Sequence, residues 1–238
     1  MPPSLTDRLR AAPPGIHGEG DEYWGLAWAA LRWLEENVHK GMATLETGAG
    51  SSTIVFAAAG AEHEAVTPDA AEEGRIREEC ARHGVDSSSV RFRIGPSHEV
   101  LPALEQRPLD LVLVDGAHGF PYPTLDWWHV APRVKVGGRV LLDDAYMPPV
   151  RSIVDALRAD ASWELDAPAS FRTAVVRKVA EVPPSFDWEG GGHMSFAYLS
   201  PRARVVASAR QRVFSTRLGL RAVELARRRT GLRFRRKG

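Results

Sequence analysis

Leu45-Glu46-Thr47-Gly48-Ala49-Gly50-Ser51-Ser52 is the stretch on which the reading of this chain turns. A short apolar run, Ala43-Thr44-Leu45, enters it and a helix-like run, residues 53–59, leaves it, so it joins a strand to a helix through a glycine turn. Glycines at such a turn let the backbone approach a ligand, and the following helix offers free N–H groups. Ser51, Ser52 and Thr53 stand where a third glycine would complete a dinucleotide fingerprint, which argues against a pyrophosphate site. Taken alone, the stretch is a weak signal, the alternative being a simple tight strand-to-helix turn.

The pattern repeats downstream. Apolar runs at 63–67, 90–94, 109–114 and 138–142 predict strands, and the segments 70–83, 97–106, 124–134 and 149–159 predict the helices between them. Short apolar strands alternating with helices imply a mostly parallel, doubly wound Rossmann-like α/β sheet covered on both faces. Upstream, Trp24, Leu26, Trp28, Leu31, Trp33 and Leu34 fall mostly at helical spacing, which predicts an amphipathic helix over 23–38, stopped by Gly41. Two β-like stretches, 163–165 and 173–179, are close enough to pair as an antiparallel edge. Pro183-Pro184 and Gly190-Gly191-Gly192 mark a loop region beyond. The expected organisation is an N-terminal segment over 1–40, the α/β domain over 41–180, and a C-terminal extension over 181–238.

Composition excludes several classes. The chain has 238 residues, 44% hydrophobic and 26% charged, so it is neither fibrous nor wholly disordered, and it is long enough to bury a core without staples. One cysteine, Cys80, excludes a disulfide framework or a cysteine-rich zinc site and suits a reducing, cytoplasmic setting. Residues 1–11 have no apolar signal region, and no stretch approaches membrane-spanning length. The net charge of +1 conceals a split: residues 202–238 carry 13 Lys and Arg against Glu224 alone, leaving an acidic body.

Ligands of an open parallel sheet bind beyond the carboxyl ends of its strands, near the point where strand order reverses. Five strand ends here carry polar signals. The first is the glycine turn. The second, Val66-Thr67-Pro68-Asp69, puts Thr67 where nucleotide-binding folds usually place a ribose carboxylate, with Asp69 either substituting for it or capping the next helix. In the third, Gly95-Pro96-Ser97, Ser97 can cap a helix and present a hydroxyl to a bound base. The fourth and fifth strands stop at Asp115-Gly116-Ala117-His118 and at Asp143-Asp144. Carboxylates gathered at adjacent strand ends repel unless a cation neutralises them, and oxygen-only ligands suit a hard divalent metal such as Mg²⁺. The alternative is that Asp143 or Asp144 caps a turn while Asp115 bonds to a loop. His118, three residues past Asp115, is the candidate general base.

Together these segments resemble the class I S-adenosylmethionine-dependent methyltransferases over about residues 40–180. Residues 45–52 are similar to that family's first motif. Gly95-Pro96-Ser97-His98-Glu99-Val100-Leu101, Asp115-Gly116-Ala117-His118 and Lys135 to Asp144 resemble its catechol O-methyltransferase-like and small-molecule or sugar O-methyltransferase branches. The resemblance implies S-adenosylmethionine held by Glu46, Thr47, Gly48, Ala49, Gly50, Ser52, Thr67 or Asp69, Ser97 and Asp115. It also implies a divalent metal on Asp115, Asp143 and Asp144, and His118, or else Asp115, taking the proton of a small-molecule hydroxyl acceptor. A helix ahead of the first strand often acts as a lid in this family, so Trp24, Trp28, Trp33, Trp127 and Trp128 are either pocket walls or core. The basic extension predicts an amphipathic helix followed by a solvated end, docked on the acidic body or a partner subunit of a homodimer, or touching an acidic partner or anionic surface; nucleic acid is the least favoured contact. A methyltransferase acting on RNA or another macromolecule, and a non-catalytic nucleotide-binding protein, are the competing readings.

Overall fold

The computed structural model describes residues 3–17, 25–158, 160–181 and 201. The chain divides into two compact units, 1–185 and 186–238, and of the second only Pro201 is described. Trp24, the triple glycine and the basic extension lie outside the described residues.

Among the described residues seven strands form one sheet. They are β1 (Ala43–Thr47), β2 (Glu62–Thr67), β3 (Val90–Ile94), β4 (Leu109–Val114), β5 (Val134–Leu142), β6 (Trp163–Leu165) and β7 (Ala174–Lys178), in the spatial order β3-β2-β1-β4-β5-β7-β6. The first five run parallel, and β7 pairs antiparallel to both β5 and β6. This is the doubly wound, mostly parallel sheet with an antiparallel edge that the sequence predicts. Strand order reverses between β1 and β4, so the crevice at their carboxyl ends is where a ligand is expected.

The period of two along the strands distributes the core. Leu111, Leu113, Leu141 and Val175 point to one face, and Val112, Val114, Val140, Leu142 and Val176 to the other. The first face is covered by α1 (Leu5–Ala11), α2 (Trp28–Asn37), α3 (Ser51–Ala58) and α4 (Ala70–Arg82), which contribute Leu9, Leu31, Leu34, Ile54, Phe56 and Ile76. The second is covered by α5 (Ser97–Ala103), α6 (Tyr122–Val130) and α7 (Pro148–Leu157), through Leu101, Val130, Val150, Ile153 and Leu157. Each such side chain contributes roughly 1.5–3 kcal/mol by leaving water. Cys80, on α4, is part of this core, and burial pushes its thiol up to about 11, which keeps it protonated and inert.

Several boundaries moved for identifiable reasons. The helix expected over 124–134 starts at Tyr122 and stops at Val130; a single 3-10 turn, Ala131–Arg133, follows, and Val134 already belongs to β5. The helix expected to reach 106 ends at Ala103, just past Pro102, whose missing N–H weakens the last turn. The sequence reading gave no helix to the first residues, yet Ser4 caps α1 by accepting from the Asp7 amide, and Glu35 of α2 accepts from the amides of Leu5 and Thr6. Both α1 and α2 pack into the first core. Among the described residues no helix is long and apolar enough to cross a membrane.

Candidate active site

The strand ladders continue past their ends and line up the loops that follow. Gly48 N–H donates to Val66 O, Asp115 N–H to Thr47 O, Gly95 N–H to Thr67 O, and Asp143 N–H to Val114 O. The carboxyl edge therefore carries Gly95, Thr67, Gly48, Asp115 and Asp143 in spatial sequence. Above it opens a cavity of about 520 Å³, a size that suits a nucleoside-like ligand.

Gly48 fixes the floor. Its φ is +84°, and a Cβ there would stand 2.4 Å from the Asp115 carbonyl oxygen, so no side chain fits in either conformation or space. Beyond it, Gly50 N–H donates to Thr53 Oγ1 and Thr53 N–H to Gly50 O, closing the entry to α3. Gly48, Ala49, Gly50 and Ser52 line the cavity. Glu46 and Thr47 do not. The Glu46 carboxylate points into the protein, fully buried, and accepts from Ser52 Oγ at 2.6 Å, from Thr53 Oγ1, and from His63 Nε2 at 3.1 Å. It ties β1 to the start of α3 and so shapes the turn without touching the cavity.

At the end of β2 the structure separates the two candidate ribose ligands. Thr67 lines the cavity, whereas Asp69 caps α4 by accepting from the Ala71 amide, pairs with Arg75 at 2.5 Å, and lies outside the lining. The carboxylate that does reach the cavity is Glu72, in the first turn of α4. It accepts from the Thr67 hydroxyl and from His17 Nδ1, the latter at 2.9 Å. His17 lines the cavity too, and a Cβ on Gly50 would meet its Nε2 at 3.2 Å. The sequence reading missed both residues; an acidic residue in a helix's first turn behind Thr67 was the available signal.

Ser97 and its neighbours form the far wall. Pro96 takes the N-cap position that the sequence gave to Ser97, which is the first helical residue and lines the cavity with His98 and Tyr122, whose rings are 5.3 Å apart. Behind Gly116, the Thr47 hydroxyl and the Asp126 carboxylate share a closed space with Ser97. Asp126 is fully buried with neither carboxylate oxygen hydrogen-bonded, and burial raises its pKa despite the nearby hydroxyls of Ser97 and Thr47.

The opposite end of the cavity is ionic. Asp115 lines it; burial, then the charge of Asp143, holds its carboxyl well above the usual range, with Arg172 opposing. His118 Nε2 lies 3.3 Å from Asp144 Oδ2 and 3.8 Å from Asp115 Oδ1. Asp144 holds a left-handed φ of 51°. Both oxygens of the buried Asp143 are engaged: Oδ1 accepts from Thr173 Oγ1 at 2.5 Å, and Oδ2 accepts from Arg172 Nη2 and Nε at 2.6 and 3.1 Å. Asp144 Oδ1 makes no hydrogen bond but lies 3.2 Å from Arg172 Nε. The Arg172 guanidinium thus lies against two of the three carboxylates to which the sequence argument assigned a divalent metal. The carboxylates Asp115, Asp143 and Asp144 do come together, but among the described residues no group of three His, Cys, Asp or Glu could hold a metal ion. The sequence reading did not foresee Arg172 beside these carboxylates, because it is 29 residues from Asp143 in sequence.

The described tryptophans do not line this cavity. Trp28 and Trp33 pack against the first core, Trp127 sits edge-on to Trp163 in the second, and Trp128 is exposed. Exposed Phe120, Tyr146 and Phe171 instead flank His118, Asp144 and Arg172 in sequence, and Ala145 N–H donates to Arg172 O at 2.8 Å, drawing the last two segments together.

Residues 45–145 match a family model described as a methyltransferase domain. Among solved structures, the chain is similar to the O-methyltransferase TomG from Streptomyces achromogenes, a protein involved in tomaymycin synthesis, solved with S-adenosylmethionine (TM-score 0.54, 18% identity, 66% of this chain and 82% of that one). It is also similar to the O-methyltransferase NovP (TM-score 0.57, 17% identity, 73% and 88%) and to the Podospora anserina methyltransferase PaMTH1 bound to S-adenosylhomocysteine (TM-score 0.52, 17% identity, 66% and 81%). No curated protein matches the sequence significantly.

Proposed function

We propose that this chain, whose residues 45–145 match a methyltransferase-domain family model, is a class I S-adenosylmethionine-dependent methyltransferase that moves the sulfonium methyl group to a hydroxyl oxygen of a small phenolic, catechol-like or sugar-bearing acceptor. The observation that carries this reading is the continuity of one cavity from Gly48 and Glu72 to Asp115, with His118 beside Asp115. In this reading the glycine turn leaves room for the methionine part of the cofactor. Thr67 and Glu72 face its ribose hydroxyls, and Ser97, His98 and Tyr122 border the base.

The acceptor approaches from the side of His118 and the exposed aromatics. In this reading His118, whose Nε2 lies 3.3 Å from Asp144 Oδ2, takes the acceptor's hydroxyl proton as the methyl group transfers. Phe120, Tyr146 and Phe171 offer flat apolar faces that suit aromatic and sugar rings. No step is assigned to a metal, since Arg172 and Thr173 occupy the oxygens of Asp143 that a metal would need.

Calorimetric titration with S-adenosylmethionine and S-adenosylhomocysteine, followed by an acceptor panel assayed with and without chelator, tests this. Micromolar binding of both ligands and methylation of a hydroxyl acceptor are expected; no binding of either overturns the reading. Replacing His118 with alanine should lower kcat by about 100-fold or more while changing cofactor affinity less than about twofold. Unchanged turnover would remove His118 from the chemistry.

A further inference from the structure

Three segments that are remote in sequence meet on one side chain. Arg172, in the turn before β7, reaches Asp143 and Asp144 after β5, and its Nη2 also donates to the backbone carbonyl of Gly25 at 3.3 Å. Gly25 and Leu26 line the cofactor cavity. Only a quarter of the Arg172 side chain is exposed, and its surroundings are unusually acidic: burial alone would lower its pKa, but Asp143, then Asp144 and Asp115, raise it. A guanidinium suits this place because it is planar, always charged, and presents several donors in fixed directions. Lysine would supply the charge from one point and leave the Gly25 carbonyl without its donor.

We propose that Arg172 is a positioning residue that serves as the permanent cation of the site, replacing a divalent metal between Asp115, Asp143 and Asp144 and fastening residues 25–26 along the edge of the cofactor cavity. The antiparallel register makes this arrangement durable. Leu142 lies opposite Ala174, so Asp143 faces Thr173 and the Arg172 turn directly across the β5–β7 ladder. Removing the guanidinium exposes carboxylates that are then short of a counter-charge, which is the condition for recruiting a hard cation. One side chain thereby links the acceptor end of the cavity to the cofactor end. The inference rests on the methyltransferase reading for its catalytic meaning, but not for its cation chemistry.

The test uses Mn²⁺ as probe on the full-length protein, with binding followed by loss of the free-ion electron paramagnetic resonance signal and no cofactor or acceptor present. Wild-type protein should leave the free Mn²⁺ signal unchanged, and Arg172→Ala should bind about one ion competed by Mg²⁺. Arg172→Lys, which retains the charge, should stay metal-free. In a second measurement, S-adenosylhomocysteine affinity should fall about tenfold in both variants, because both lose the bond to Gly25. Micromolar Mn²⁺ binding by the wild-type protein, or undiminished ligand affinity in both variants, overturns the proposal. If Arg172→Ala does not fold, the wild-type Mn²⁺ titration and the lysine variant decide it. Failure of the wild type to bind either cofactor form would sink the methyltransferase reading while the Mn²⁺ result still stands on its own.

Discussion

The two ends of the cavity are built differently. The cofactor end, around β1, β2 and α4, is backbone-defined: Gly48 leaves open space, and Thr67, Glu72 and His17 form a short polar chain at its side. The end assigned above to the acceptor, around β4, β5 and β7, is side-chain-defined: Asp115, Asp143, Asp144, His118 and Arg172 gather there. The contrast teaches that a site can be written locally at one end and through long-range pairing at the other. Damage should follow the same division, with changes at the first end felt in binding and changes at the second in turnover.

The sharpest way to break that division is at Gly48, where the two ends touch through the Asp115 backbone. Gly48→Ala should weaken S-adenosylmethionine binding by about 1,000-fold, combining left-handed strain with a clash against a strand end that cannot retreat. Calorimetry checks it; near-normal affinity would mean that the turn is not the cofactor floor.

A smaller effect separates two carboxylates of the cofactor end. Glu72→Ala should raise the dissociation constant of S-adenosylmethionine about tenfold with little change in kcat, as expected for a lost ribose contact. Asp69→Ala should leave affinity unchanged and cost about 1 kcal/mol of stability in chemical denaturation, the usual effect of losing an N-cap. The reverse pattern would restore Asp69 as the ribose ligand.

The smallest expected effect concerns Asp126, behind the wall between the two ends. Burial raises its folded-state pKa, so the folded protein holds a proton that the unfolded chain releases. Its contribution is therefore harmless below the unfolded pKa and becomes a loss of stability as pH rises toward the folded value. Asp126→Asn should melt higher than wild type at neutral pH, with the gain shrinking toward about pH 4, where an unfolded aspartate also protonates. A melting difference that grows on acidification would reverse the assigned sign.

Particular residues explain what could be read in advance. The strands β3 and β4 were legible to the residue, β3 because Val90, Phe92 and Ile94 alternate with arginines and β4 because Leu111 to Val114 form a short apolar run ended by Asp115. Ser97 was misread as a cap because a serine after a proline looks like a helix start, while the chain places Pro96 in that position. Glu46 was expected in the cofactor site because it belongs to the motif; its carboxylate instead points inward to Ser52, Thr53 and His63. A motif gives the path of the backbone, but alternation along β1 decides which side chains face the ligand.

By itself, then, the sequence determined the parallel α/β plan, the glycine turn and the convergence of carboxylates at strand ends. Each depends on interactions among near neighbours: apolar periodicity, permitted φ, and the breaks between elements. Only the tertiary structure decided that Glu72 and not Asp69 faces the cavity, that His17 and Gly25 complete its edge, and that Arg172 lies against Asp143 and Asp144. Those choices depend on the α4 direction and on β7 entering the sheet antiparallel beside β5, and pairing across such distances leaves no periodic trace in the chain.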